Sequence, residues 1–188
     1  MIIENNISLR HLNTFGIEVY AKEFVVIKSH QDLQAFIAQR DLTKKKFLIL
    51  GGGSNILFTK DFDGIILKIE IAGIDLIKED SDHVWIKAGA GVVWHDLVLH
   101  AIERGWGGLE NLSLIPGTVG ATPIQNVGAY GQQVSETIAQ VRAWNRETKQ
   151  VDTIFSANCE FGYRTSVFKQ FPNRWVILSV TFQLPLGD

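Results

Sequence analysis

The stretch LILGGGSNILF, Leu48 to Phe58, sets three consecutive glycines, a serine and an asparagine between two apolar runs. Glycine weakens regular structure, so three together at the end of an apolar strand point to a need for bare backbone. Amide N–H groups left unshielded at a strand end form a concave anion site. Gly51, Gly52 and Gly53 meet that need, Ser54 adds a hydroxyl and Asn55 an amide. A diphosphate is the natural guest. The dinucleotide fingerprint would require a further spaced glycine where Ile56 stands, and the triphosphate-binding loop a Gly-Lys-Ser/Thr sequence. Neither a conventional Rossmann site nor a nucleoside triphosphatase is indicated. Standing alone, the stretch reads first as a tight turn, so the binding reading needs a partner segment.

That partner is GGLENLSLIPGTVGATPIQNVGAYG, Gly107 to Gly131, which holds six of the 17 glycines among small residues and neutral amides. From Asn111 to Ser135 there is no Asp, Glu, Lys, Arg or His. Such a segment lacks the charge of a solvated loop, and its glycines and prolines interrupt a helix. It suits backbone wrapped on a large, flat, polar-edged molecule, with a buried crossover that merely packs two lobes as the plain alternative. Gln125 and Asn126 offer neutral groups for a heterocycle, and Thr118 and Thr122 offer hydroxyls for phosphate or ribose. A third feature is CEFGYRTSVFK, in which Arg164 supplies a permanent charge and a planar fork for a carboxylate, with Tyr163 beside it. An ordinary surface arginine on a strand is the alternative there. His95 and His100, five apart on a predicted helix, point away from each other, and no metal-ligand cluster or serine-hydrolase elbow is present.

The elements that must position these groups follow from periodicity. EFVVIKS reads as a strand, followed by a helix over SHQDLQAFIAQRD with Ser29 as N-cap, Asp32 three residues on, and Leu33, Phe36 and Ile37 on one face. KKKFLIL delivers the chain to the glycines, and DGIILKI returns after a turn signal at Asp63-Gly64. HVWIKAGAG is a strand leading to a helix whose stripe is Trp94, Leu97, Val98, Ala101 and Ile102, ended by Gly105. AQVRAWNRETKQVDTIF predicts a hairpin and WVILSVTFQL a last strand. The order is mixed α+β, with a lobe boundary expected near Ile71 to Asp82, where KEDSD reads as an exposed turn.

Composition bounds the rest. A chain of 188 residues with 46% hydrophobic content can bury a proper core, and a formal net charge of −2 provides no global attraction to nucleic acid or anionic lipid. The single cysteine, Cys159, reads as a buried thiol and suits a reducing compartment. The N-terminal MIIENNISLRHLN lacks the pattern of an export signal, and the long neutral tract is too rich in glycine, proline and amides to span a membrane.

Five segments together, NTFGI at Asn13 to Ile17, LILGGGSNILF, GAGVVWHDLV, GLENLSLIPGTVGATPIQNVGAYG and FGYRTSVFK, resemble the UDP-N-acetylenolpyruvoylglucosamine reductase family of bacterial cell-wall synthesis. The resemblance covers nearly the whole chain. It implies an α+β, two-lobe FAD-binding domain of the vanillyl-alcohol-oxidase (PCMH) type, with residues 1–70 as one lobe and 71–188 as the other. It implies that FAD is enclosed by Gly51, Gly52, Gly53, Ser54 and Asn55 on one side. Ile115, Pro116, Gly117, Thr118, Gly120, Ala121, Thr122, Gln125, Asn126 and Gly128 enclose it on the other. It further implies that NADPH reduces the flavin, which passes hydride to the enolpyruvyl group of a UDP-sugar to give UDP-N-acetylmuramate for peptidoglycan, in the cytoplasm. Arg164 matches the family's catalytic arginine, holding the substrate carboxylate, with Tyr163 packed beside it.

The family continues into a substrate-binding domain with a serine proton donor and a late glutamate, and nothing in these 188 residues matches either. The chain is therefore expected to hold FAD but to turn over the UDP-sugar poorly, and to be prone to self-association. Two other readings stand beside this one: a flavin oxidase domain of the same superfamily, and a non-catalytic flavin-binding module.

Overall fold

In the computed structural model, which describes residues 1–187, the apolar runs become the strands of two sheets. The first holds β1 (Ile3–Ser8), β2 (Tyr20–Ile27), β3 (Phe47–Leu50) and β4 (Phe62–Ile69) in the order β1-β2-β4-β3. β4 runs parallel to both β2 and β3, and β1 caps the edge antiparallel to β2. Parallel strands covered on both faces need continuous apolar sequence, and β4 has it. Its Ile65, Leu67 and Ile69 enter the main core, while Ile66 joins a second cluster with Leu9, Val19, Phe24, Leu50 and Phe58.

Helix α1 (His30–Gln39) starts where the sequence predicts: the Ser29 hydroxyl accepts the Asp32 amide at 3.0 Å, and the Asp32 carboxylate accepts the Lys28 amide at 2.9 Å. Leu33 and Phe36 are fully buried and fix the helix on the core. Because β3 and β4 are adjacent and parallel, the chain between them must pass over the end of the sheet. The glycine stretch thus lies at the carboxyl end of β3, where open parallel sheets bind ligands. Asp63 and Gly64 do not form the expected turn; both lie inside β4, where Gly64 is buried and a Cβ would stand 2.6 Å from the Lys46 carbonyl oxygen.

The second sheet is antiparallel, built from β5 (Ile74–Glu79) and β6 (His83–Gly89), then, after α2 (Trp94–Ile102) and the short pair β7 (Gly128–Ala129) and β8 (Gln132–Gln133), from β9 (Ile138–Asn145), β10 (Gln150–Phe155) and β11 (Trp175–Pro185). A four-residue helix, α3 (Val167–Gln170), precedes β11. The strand order is β10-β9-β11-β6-β5, and β9 and β10 form the expected hairpin. The chain passes between the sheets after Ile69 and before Ile74. Of KEDSD, Lys78 and Glu79 end β5, an edge strand with Leu76 and Ile77 exposed, and Asp80 to Asp82 form the expected exposed turn into β6. Trp94, Leu97, Val98 and Ala101 are buried as predicted, whereas Ile102, at the last turn of α2, is 45% exposed. Cys159 is buried, and desolvation pushes its thiol up to about 12, which leaves it inert at neutral pH.

One hydrophobic core runs through both sheets, and polar ties reinforce it. The Arg146 guanidinium, in the β9–β10 turn, donates to the Thr43 carbonyl at 3.0 Å and lies over the Phe47 ring. His30, at the start of α1, has a buried Nε2 without a partner; burial, and then the charge of Arg142 on β9, push its pKa down. A depressed imidazole pKa means the unfolded chain takes up its proton first as pH falls. Stability present at neutral pH is therefore lost from the unfolded value of about 6.5 downward. Between pH values of about 7.5 and 5, the melting temperature of the wild type should fall further than that of His30→Gln, and parallel curves would refute the assignment.

Candidate functional site

The glycine coil and the neutral loop face each other across a cleft of about 790 Å³. Gly51, Gly52, Gly53, Ser54 and Asn55 line one wall; Ile115, Pro116, Gly117, Ala121, Gln125 and Gly128 line the other, together with Arg164. The two backbones meet at the edge of this space. A Cβ on Gly52 would lie 3.2 Å from the Gly117 Cα, and one on Gly51 would lie 2.7 Å from the Thr118 hydroxyl. Side chains at these positions would force the coils apart.

Each coil is fixed from behind by backbone hydrogen bonds. Thr14 donates its amide to the Gly53 carbonyl at 3.0 Å, and Gly53 (φ +71) passes so close that a Cβ would meet the Leu12 carbonyl oxygen at 2.0 Å. Asn13 sets that backing loop: it donates to the Leu9 and Ile17 carbonyls and accepts the Ile17 amide. On the far wall, the Trp94 amide donates to Gly117, Val119 donates to Val92 and Gly120 donates to Ala90. The buried Trp94 indole also donates to the Leu112 carbonyl at 2.8 Å. Among the described residues, the amides of Gly52, Gly53, Ser54 and Asn55, and those of Gly117 and Thr118, reach no backbone carbonyl. Unpaired donors of this kind, concentrated at a concave surface, suit an anion. The cradle fits a dinucleotide diphosphate, and no carboxylate among the described residues lines the cleft.

The remaining predicted residues divide. Gly120 and Thr118 line an adjoining apolar hollow of about 90 Å³, beside Ile49, Ile177 and Trp175; Gly120 is needed there because a Cβ would stand 2.7 Å from that of Ala90. Thr122 does not face the cleft: it is buried, and its hydroxyl donates to the Val119 carbonyl at 2.8 Å. Asn126 is likewise committed to the scaffold. It is 2% exposed, donates to Gln133 and to the Gly162 carbonyl, and accepts the Ser135 amide. Tyr163 points to solvent, 87% exposed, and borders a neighbouring hollow of about 220 Å³ rather than the cleft.

Arg164 lines both spaces. It sits at φ +52 in a tight turn closed by mutual Gly162 and Thr165 backbone bonds, and its guanidinium donates to the Gly128 carbonyl at 2.9 Å. The fork keeps further donors free for a carboxylate. Among the described residues, no group of His, Cys, Asp and Glu could hold a metal. Sequence reasoning missed Ile124, Val127 and Ala129 on the cleft wall, and Lys68, whose ammonium donates to the Gly51 carbonyl. The signal for Lys68 was available as a lone lysine within the apolar run DGIILKI.

A protein family described as FAD binding domain matches residues 21–153. The UDP-N-acetylenolpyruvoylglucosamine reductase of Flavobacterium johnsoniae is 48% identical over 185 residues, covering 98% of this chain and 54% of the relative. The chain therefore spans about half the length of the curated relatives it matches. The crystal structure of the reductase from Thermus caldophilus superposes with a TM-score of 0.81 at 23% identity, covering 100% of this chain and 64% of that one. p-Cresol methylhydroxylase with substrate bound gives a TM-score of 0.63 at 14% identity over 90% of this chain and 36% of its own. These likenesses bear out the resemblance read from the five segments and the two-lobe α+β FAD-binding fold.

The backing of the glycine coil can be tested by comparing two glycines. Gly53 and Gly16 both have positive φ, +71 and +63, but a Cβ on Gly16 would meet nothing within 4 Å. Gly16→Ala should cost about 1 kcal/mol, and Gly53→Ala about 1–3 kcal/mol more, in urea unfolding. Equal losses would show that the contact with Leu12 is slack.

Proposed function

The chain belongs to the FAD-binding domain family, and we propose that its cleft grips the diphosphate of FAD with the amides of Gly51 to Asn55 on one side and of Gly117 and Thr118 on the other. The row of unpaired amides across a cleft free of carboxylates carries this reading. Each amide-to-phosphate bond is charge-assisted and contributes about 1.5–3 kcal/mol in a shielded site. The apolar wall of Ile49, Ile124 and Val127 supplies surface for an aromatic ring system, and Gln125 supplies an edge-on amide for its polar rim.

The substrate reading extends from there. We infer that the chain serves the reduction, by NADPH, of UDP-N-acetylglucosamine enolpyruvate to UDP-N-acetylmuramate in cytoplasmic peptidoglycan synthesis; the relatives' name supports the substrate and the reduction, and the resemblance of the five segments supports the rest. FAD, when bound, supplies the hydride transfer for that chemistry. Arg164 does the work the chain itself can do: it receives the substrate carboxylate in its planar fork and stabilises negative charge next to it. Its bond to the Gly128 carbonyl keeps the guanidinium at the cleft wall, so the carboxylate is held against the same space that holds the cofactor. Among the described residues no helix is long and apolar enough to cross a membrane.

The test is a titration of the purified chain with FAD, followed by the UDP-sugar. A yellow complex that survives desalting, with quenched flavin fluorescence, is expected; a chain that returns colourless would refute the cofactor site. Adding UDP-N-acetylglucosamine enolpyruvate should then perturb the flavin absorption. Arg164→Lys, which keeps the charge but loses the fork, should weaken that response about tenfold while FAD still binds. An undiminished response would remove Arg164 from the substrate site.

A further inference from the structure

Lys68 lies on β4 opposite Leu50 of β3, one residue before the glycine coil begins. Its neighbours along the strand, Leu67 and Ile69, are buried, and the lysine itself is half-buried. Among the described residues, no carboxylate comes within salt-bridge distance of it. Burial pushes its pKa below the usual lysine value, with Glu70 opposing that shift. A charge kept in such a place costs stability, and an apolar residue would fit the strand more cheaply. What the ammonium touches is the Gly51 carbonyl oxygen.

In a trans peptide the C=O and N–H point in opposite directions, and the described residues contain no cis bond. The Gly51 carbonyl and the Gly52 amide belong to one peptide unit. An ammonium that draws the carbonyl behind the coil therefore turns the Gly52 N–H outward, on the side where Gly52 lines the cleft. It also polarises that unit, which strengthens the amide as a donor.

We propose that Lys68 is a positioning residue for the anion site: it anchors the Gly51–Gly52 peptide so that the amide faces a bound diphosphate, and it places an unneutralised positive charge directly behind that amide. The inference rests on the reading that the cleft holds FAD.

The experiment measures FAD affinity by fluorescence quenching in the wild type and in Lys68→Met, Lys68→Arg and Lys60→Met. Lys68→Met should bind FAD roughly ten- to a hundredfold more weakly, the range of one charge-assisted bond. Lys68→Arg, which keeps charge and donors, should recover most of that loss. Lys60→Met removes the same charge from an exposed position and should bind as the wild type does. Equal affinity of Lys68→Met and wild type would overturn the proposal while leaving the FAD site standing; so would an equal loss in Lys60→Met, which would mean a diffuse charge effect. A wild type that does not bind FAD would overturn both. Should Lys68→Met fail to fold, Lys68→Gln, which retains a neutral donor for the carbonyl, takes its place. It should bind FAD at an affinity between those of Lys68→Arg and the ten- to hundredfold loss, and wild-type affinity would again refute the role of the charge.

Discussion

The structure depends on the close approach of two main chains at which the carbonyls of Gly51, Gly53 and Gly117 are tied down while the amides of Gly52 to Asn55, Gly117 and Thr118 reach no backbone carbonyl. A Cβ on Gly52 would lie 3.2 Å from the Gly117 Cα, and at that approach Gly51 to Asn55 and Gly117 line one cleft. Leaving such donors without partners is unfavourable unless water or an anion satisfies them. The surrounding structure must therefore hold the coils against the tendency to collapse on each other or to turn inward. It does so through carbonyls: Gly53 is held by Thr14, Gly117 by Trp94 and Gly51 by Lys68.

This arrangement explains how a chain of net charge −2 offers an anion site. Attraction is local. Peptide dipoles supply partial positive charge at fixed positions and need no reorganisation when a phosphate arrives, whereas a cluster of lysines would be mobile and heavily hydrated. Two cations bear on the cleft, Lys68 through the Gly51 carbonyl and Arg164 on the wall, and no carboxylate among the described residues lines it. The division suits a cofactor gripped by backbone and a carboxylate gripped by a guanidinium.

Much of this was legible in the sequence, for identifiable reasons. The glycine coil, the neutral loop and Arg164 stand out by composition, although a tight turn, a packing crossover and a surface arginine are the plain alternatives, and the structure brings all three to one cleft. Helix α1 was legible because its Ser29 cap and apolar stripe are local signals. The edge strands β1 and β5 were not, because an edge strand with one poorly covered face has neither the alternation nor the apolar density of a buried strand. Gly64 misled for a related reason. A glycine after an aspartate looks like a turn, but here it is required by the approach of the Lys46 carbonyl, a tertiary contact that sequence does not display. Thr122 and Asn126 are the instructive misreadings of the site: their side chains suit a ligand equally well, and only the fold shows that Val119, Gly162 and Ser135 have already engaged them.

That engagement changes what the neutral loop is for. Arg164 occupies a left-handed backbone conformation that a non-glycine residue adopts only when its surroundings over-determine it. The surroundings come mostly from the loop. Asn126 holds the Gly162 carbonyl at one end of the turn, Gly128 receives the guanidinium, and Ile124 accepts the Ser166 hydroxyl at 2.7 Å on the other side. Lys169 closes the set by donating to the Arg164 carbonyl at 2.9 Å. One segment thus lines the cleft at Gly117 and, a few residues later, fixes the turn that carries Arg164. The neutral residues between Ile115 and Gly128 are therefore constrained twice, once by the cleft their backbone lines and once by the turn that the Asn126 side chain and the Ile124 and Gly128 carbonyls support.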